Sequence, residues 1–386
     1  MISQKEIGRI DHHSDYLQAL RGCFLILGIL VHAATVEHHW SFGLMTQFSE
    51  LFRMEGFFLL SGYLAAMTMA QQNTKIFLIR SLWLAAPLCF TLVFINPITN
   101  ALAAQYHNYG VPFETVFMLF WSTDEILNGP MNWYLHLWCF ILLILYAMLH
   151  PAINGLYQAC QLMLKQLPEK LRRYQTQIVV FLLPLSLLLF FHLLVSVLNN
   201  QIIEEVNLNI EIYYLVKEFF INLPFYLLGY FLFRHQAILH YLSKIKFSYV
   251  IFASLLLGFS HFISRTPGFN QSITETAKAL QVLSIFSQFF FAIIFSGYLL
   301  TLWLKYIAHF KQFAVSLSKA AFSIYFLQYF VIYILAISLN GWFDNLVYQY
   351  IVIVLLTFAI TYFVHSQIIN HFKITRLLLD NKQPQN

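Results

Sequence analysis

Charge is scarce in this chain. Only 10% of its 386 residues are charged and 59% are hydrophobic, whereas a soluble domain carries about a quarter charged residues. That shortage excludes a soluble globular domain of any size and leaves a membrane protein. The net charge of +5 sits in particular loops and gives no reason to expect nucleic acid as a partner. Cysteine is scarce as well. Of Cys23, Cys89, Cys139 and Cys160, the first three fall inside apolar runs and none forms a CxxC pair, so they read as buried small hydrophobes rather than a disulfide framework. His, Cys, Asp and Glu nowhere recur at metal-ligand spacing, so neither a metal nor a permanently bound cofactor is expected. Internal repeats and low-complexity tracts are also lacking. The first apolar run, from about Tyr16, has no small-residue cleavage site and reads as a retained span.

What the chain does have is apolar runs of bilayer length. A helix needs roughly 20 apolar residues to cross the hydrocarbon core. Runs of that kind fall at about 16–36, 50–70, 76–97, 133–150, 177–198, 213–233, 247–264, 280–304, 313–338 and 346–368. They are continuous rather than alternating, and only helices or closed barrels satisfy their backbone in lipid. The fold expected is therefore an all-α integral membrane protein of about ten spans, forming a single membrane-embedded domain over 1–386. The short apolar stretch 113–121 is expected to be interfacial or re-entrant.

Loop charge supports that count. With the amino terminus inside, Lys5, Arg9, Lys165, Lys170, Arg172, Arg173, Lys244, Lys246, Lys305, Lys311, Lys373 and Arg376 fall on the cytoplasmic side. Glu37, Glu114, Asp124, Glu125, Glu204, Glu205 and Asp344 fall outside, with only Arg265 and Lys278 as outer bases. The positive-inside rule is met at nearly every turn, placing both termini in the cytoplasm.

Ionisable side chains within spans are costly and mark function. The first span carries Arg21 and His32, on nearly the same helical face and roughly 16 Å apart along the axis. The second span opens at the outer face with Arg53 and Glu55, and the third opens at the inner face with Lys75 and Arg80. Two polar layers result. The inner one is cationic and suits phosphates; the outer one has a histidine, a carboxylate and a cation, and suits proton chemistry. Plainer readings stand beside these: Arg21 and Arg80 as snorkelling anchors, His32 as a packing residue, Arg53 and Glu55 as a structural pair, Trp133 and Tyr134 as part of an aromatic belt. Ser61 with Gly62 reads as a close-packing pair before it reads as a nucleophile. Buried Arg, His and Glu also suit a proton-coupled secondary transporter, although the two repeated halves common in such carriers are not visible.

Six strings in order point to one chemistry. YLQALRGCFLILGILVH from Tyr16, RMEGFFLLSGYL from Arg53, RSLWLAAPL from Arg80, GPMNWYL ending at Leu135, LPFYLLGYFLF from Leu223 and AAFSIYFLQYF from Ala320 resemble successive motifs of the membrane acyltransferase 3 family. Within it, the RMxxFFxxSGY form and the LPFYLLG segment are most similar to the glucan biosynthesis protein C branch, which adds succinyl groups to periplasmic glucans. Gln18, Trp83 and Gln328 depart from the pattern, standing where the family usually has Asp, Arg and His. The resemblance implies an acyltransferase of the bacterial inner membrane that moves a succinyl or acetyl group from cytoplasmic acyl-CoA to a glycan hydroxyl outside. In that scheme Arg21, Arg80 and Lys75 hold the donor phosphates and His32 is the general base. Glu55 orients His32, while Arg53, Ser61, Trp133, Tyr134, Tyr325 and Gln328 line the acceptor cavity. The partners implied are the bilayer, acyl-CoA and a glycan.

Overall fold

Helices make up every regular element that can be described, as lipid demands of an unpaired backbone. The computed structural model describes residues 16–37, 39–71, 79, 83–107, 112, 114–115, 133–166, 182–205, 210–265, 275–306 and 310–379. In chain order its helices are α1 (Tyr16–Ala33), α2 (Trp40–Glu50), α3 (Arg53–Gln71), α4 (Ala85–His107), α5 (Trp138–Lys165), α6 (Leu183–Glu205), α7 (Ile210–Arg234), α8 (Gln236–Leu242), α9 (Phe247–Arg265), α10 (Glu275–Tyr306), α11 (Lys311–Ser338), α12 (Leu346–Val364) and α13 (Lys373–Leu379).

Among the described residues, each of the ten apolar segments falls at least in part on a helix, and seven helices are long and apolar enough to cross a membrane. The protein is thus a multi-pass membrane protein. The third span ends later than expected: its helix reaches His107, well past the expected end at residue 97. The cause is local. Residues Thr91–Ile95 form a wide π-turn, and an α-helix restarts at Asn96 with Pro97 in its first turn. There a missing N–H costs nothing, so the Asn-Pro pair that looks like a helix stop continues the helix. The stretch 113–121 lies almost wholly outside the described residues.

The chain divides into two compact units. The first contains α3, the later part of α5, and α6 to α10. Its tightest joint is between α3 and α7. A Cβ at Gly62 would fall on the Tyr226 carbonyl, and one at Gly229 on the Leu59 carbonyl, so the two backbones touch where each helix carries a glycine. Close backbone approach is the main source of helix adhesion in lipid, where apolar burial alone gives no preference. Elsewhere in this unit a buried hydroxyl pair, Ser260 and Ser287 at 2.7 Å, links α9 to α10.

The second unit contains α1 from Arg21 onward, α2, α4, the start of α5, and α11 to α13. Its apolar core is built from Ile29, Ala33, Ile324, Ile332, Ala336 and Ile353, with Tyr329 and Tyr333 among them. α1 lies close on α11, since a Cβ at Gly22 would come within 3.0 Å of the Ala321 Cβ. The turn into α12 uses Gly341 at φ 77, a conformation open to glycine without strain. Asn345 then caps the helix by accepting from the Val347 amide at 2.8 Å, as Asn does at N-termini.

Candidate active site

The second unit gathers a polar cluster around His32. This residue sits in the last turn of α1. Its ring lies 4.7 Å from that of Tyr329, 5.2 Å from that of His136 and 6.4 Å from that of Tyr325, centre to centre. Tyr325 and Tyr329 are one turn apart on α11, so a single helical face supplies both.

His136 rides on a short 3-10 turn, Leu135–Leu137, that leads into α5. It is 4% exposed. Its Nε2 donates to the Tyr325 carbonyl at 2.7 Å, and the Tyr325 hydroxyl donates back to the His136 carbonyl. The Cys139 thiol donates to the Tyr325 hydroxyl oxygen at 3.1 Å. The His136 ring also stacks on Tyr329, 5.0 Å away and tilted by only 10°.

A chain of hydroxyls runs behind His32. Thr35 Oγ1 donates to the His32 carbonyl at 2.7 Å. With that single proton committed, its oxygen accepts from the Tyr329 and Tyr333 hydroxyls at 3.2 and 3.4 Å. The Tyr333 oxygen in turn accepts from His107 Nε2 at 3.2 Å. Each hydroxyl has one proton and two lone pairs, so this is the one direction in which every contact is satisfied. The network fixes the backbone at His32 from α4 and α11 together.

The sequence-predicted residues fall in several places. His32 and Tyr325 come together. Gln328, on the same helix, is completely buried, and neither its amide oxygen nor its nitrogen has a hydrogen-bond partner among the described residues. Arg21 belongs to the same unit, its guanidinium 5.5 Å from the Phe322 ring. Trp133 is 40% exposed and stacks edge-on with buried Tyr134 at 5.1 Å; its carbonyl accepts from Asn96 Nδ2 at 3.0 Å. Lys75 and Arg80 lie outside the described residues. Arg53, Glu55 and Ser61 belong to the first unit. There Glu55 shares an electrostatic neighbourhood with Glu218, Arg53 and Glu50, and Glu218 accepts from Asn222 Nδ2 at 3.0 Å. Ser61 is 2% exposed beside the Gly62 joint, the position of a packing residue. Among the described residues no group of His, Cys, Asp or Glu comes together in a way that holds a metal ion.

Sequence reasoning missed His136, Tyr329, Tyr333, Thr35 and His107. For His136 a signal existed: a histidine three places after Trp133, at the mouth of an apolar run. The tyrosines gave none, being 22 in number.

A histidine packed among tyrosines and a second imidazole in a multi-pass helical membrane protein is a candidate for proton chemistry. The model of a family described as an acyltransferase domain matches residues 14–366, nearly the whole chain. The protein belongs to this acyltransferase 3 family and is a membrane acyltransferase. No curated protein and no solved structure matches it.

Proposed function

We propose that the protein is an O-acyltransferase of the bacterial inner membrane, with ten spans and both termini in the cytoplasm. It takes a succinyl or acetyl group from cytoplasmic acyl-CoA and places it on a hydroxyl of a periplasmic glycan, an osmoregulated glucan by resemblance to the glucan biosynthesis protein C branch. One observation carries this reading: in a chain of an acyltransferase family, His32 is packed against His136, Tyr325 and Tyr329.

His32 takes the proton of the acceptor hydroxyl as its oxygen attacks the thioester carbonyl. The carbon–oxygen bond forms, the carbon–sulfur bond breaks, and the sulfur leaves with the electron pair as coenzyme A thiolate, which takes the proton. An imidazole of ordinary basicity near 6.5 suits this exchange at neutral pH. Arg21, with Lys75 and Arg80, holds the donor's phosphates at the inner end of α1, and the donor arm extends along that helix towards His32. Trp133 and Tyr134 offer rings on which sugars stack, and Gln328 offers an amide to the acyl or sugar oxygens.

The test is expression in a bacterial strain lacking its own glycan acyltransferases, with periplasmic glycans weighed by mass spectrometry. Wild type is expected to add one succinyl or acetyl increment, and His32→Ala to lower the rate about 10²–10⁴-fold, the usual worth of a general base. A His32→Ala protein active at the wild-type rate refutes the assignment. Absence of any increment, with protein present in the membrane, refutes the glycan reading and returns a proton-coupled carrier to consideration.

A further inference from the structure

The bonds that hold His136 also decide its chemistry. A carbonyl oxygen only accepts, so the 2.7 Å contact with Tyr325 places a proton on Nε2. The neutral ring therefore keeps its lone pair on Nδ1. The return bond from the Tyr325 hydroxyl to the His136 carbonyl fixes the backbone, and stacking on Tyr329 fixes the ring plane. Side chain and main chain of each partner are thus bonded to the other.

The backbone carries a cost for this placement. Leu135, the residue before His136, has φ 45, and no other non-glycine residue among those described has positive φ. The left-handed region is disfavoured for any residue that carries a Cβ. Strain of this kind persists where surrounding contacts enforce it, and it clusters at functional sites. Here it turns the chain so that His136 faces α11 instead of following a regular helix start.

We propose that His136 is the second acid–base group of this site. The proton that His32 takes from the acceptor hydroxyl is shared between the two imidazoles, through the Nδ1 lone pair of His136, until the departing thiolate takes it. The bonds made and broken are those of the transfer itself; the pair spreads the positive charge that one ring would otherwise carry alone. The ring centres are 5.2 Å apart, a separation that a single water can bridge. Titratable groups that face His136 among the described residues include His32 from α1, Tyr325 and Tyr329 from α11, and Cys139 from the first turn of α5. Of these side-chain types only histidine ordinarily changes charge near neutral pH. The proposal rests on the acyltransferase reading for its substrate, but not for the coupling between the two rings.

The experiment compares wild type with His136→Gln and His136→Leu. Glutamine keeps an N–H for the Tyr325 carbonyl but has nothing to titrate; leucine keeps neither. Two readouts are taken: kcat for acyl transfer against pH, and the ¹⁵N titration of the histidine ring nitrogens in labelled protein in lipid nanodiscs. The expected result is a folded His136→Gln protein with kcat reduced at least about tenfold, one ionisation missing from its pH profile, and a His32 midpoint moved from its wild-type value. Wild-type kcat and profile in the glutamine variant, with only the leucine variant impaired, makes His136 a packing residue and overturns the proposal. If wild type transfers no acyl group at all, the acyltransferase reading fails and the titration decides alone. A moved His32 midpoint upholds the imidazole pair, and an unmoved one overturns it.

Discussion

Gln328 is a polar side chain placed where polarity is expensive. Its amide is completely buried with neither atom bonded among the described residues, and an unsatisfied buried amide costs about 1–3 kcal/mol. It lies one helical turn from Tyr325 and next to Tyr329, the two residues that clamp His136. Gln328→Leu removes the cost with little change in volume. The variant is expected to melt higher in detergent than wild type, by the equivalent of about 1 kcal/mol, while its acyl transfer falls tenfold or more. A variant that melts higher and transfers at the wild-type rate shows that the amide meets no ligand. At this scale the sequence was informative where a charged or titratable type stood out against apolar neighbours, as Arg21 and His32 do. It was silent on Leu135, because backbone dihedrals leave no trace in residue type, and on Thr35 and Tyr333, whose role depends on partners nearly 300 positions away.

Between elements the decisive quantity is how closely backbones approach. α3 and α7 touch at Gly62 and Gly229, where an added Cβ meets a main-chain carbonyl that has no freedom to move aside. Gly62→Ala is therefore expected to separate the two helices and lower the melting temperature sharply. Gly258, in α9, has nothing within 4 Å of its Cβ position, so Gly258→Ala is expected to be neutral or to stabilise by up to about 1 kcal/mol through helix propensity. Opposite signs for one chemical change, read from paired thermal melts, check the assignment; equal effects would mean that the α3–α7 contact does not govern stability. The helices themselves were legible as apolar runs, and Ser61-Gly62 was legible as a packing pair. Their pairing was not: periodicity gives a helix its faces but not the neighbour each face meets. The later end of the third span shows a second limit, since Asn96-Pro97 reads equally as a stop and as a first turn, and only the π-turn before it decides.

For the whole molecule the open quantity is parity. α3, α6 and α9 are the helices short of the seven that are apolar and long enough to span by composition. α3 carries Arg53 and Glu55 in its first turn, and α6 ends in Asn199, Asn200, Gln201, Glu204 and Glu205. If all three span, the count is even and both termini lie on one side; if one does not, every later loop changes side. Loop charge argues for the even count, because it alone keeps the amino-terminal bases Lys5 and Arg9 on the cytoplasmic side together with those at Lys165, Lys244, Lys246, Lys373 and Arg376. The chemistry depends on the same parity. Arg21 reaches a cytoplasmic donor and His32 an outer acceptor only if α1 runs outward. Alkaline phosphatase, active only outside the cytoplasm, is expected to be inactive when fused after Lys165 or at the carboxyl terminus, and active when inserted after Glu205. Activity at the carboxyl terminus with none after Lys165 would make the number of later spans odd. Activity after Lys165 together with silence after Glu205 would mean either that α3 does not span or that the molecule is inverted, and an insertion after His39 separates the two: activity there keeps α1 outward, whereas silence there inverts the molecule, places His32 towards the cytoplasm and removes the basis for an outer glycan as acceptor.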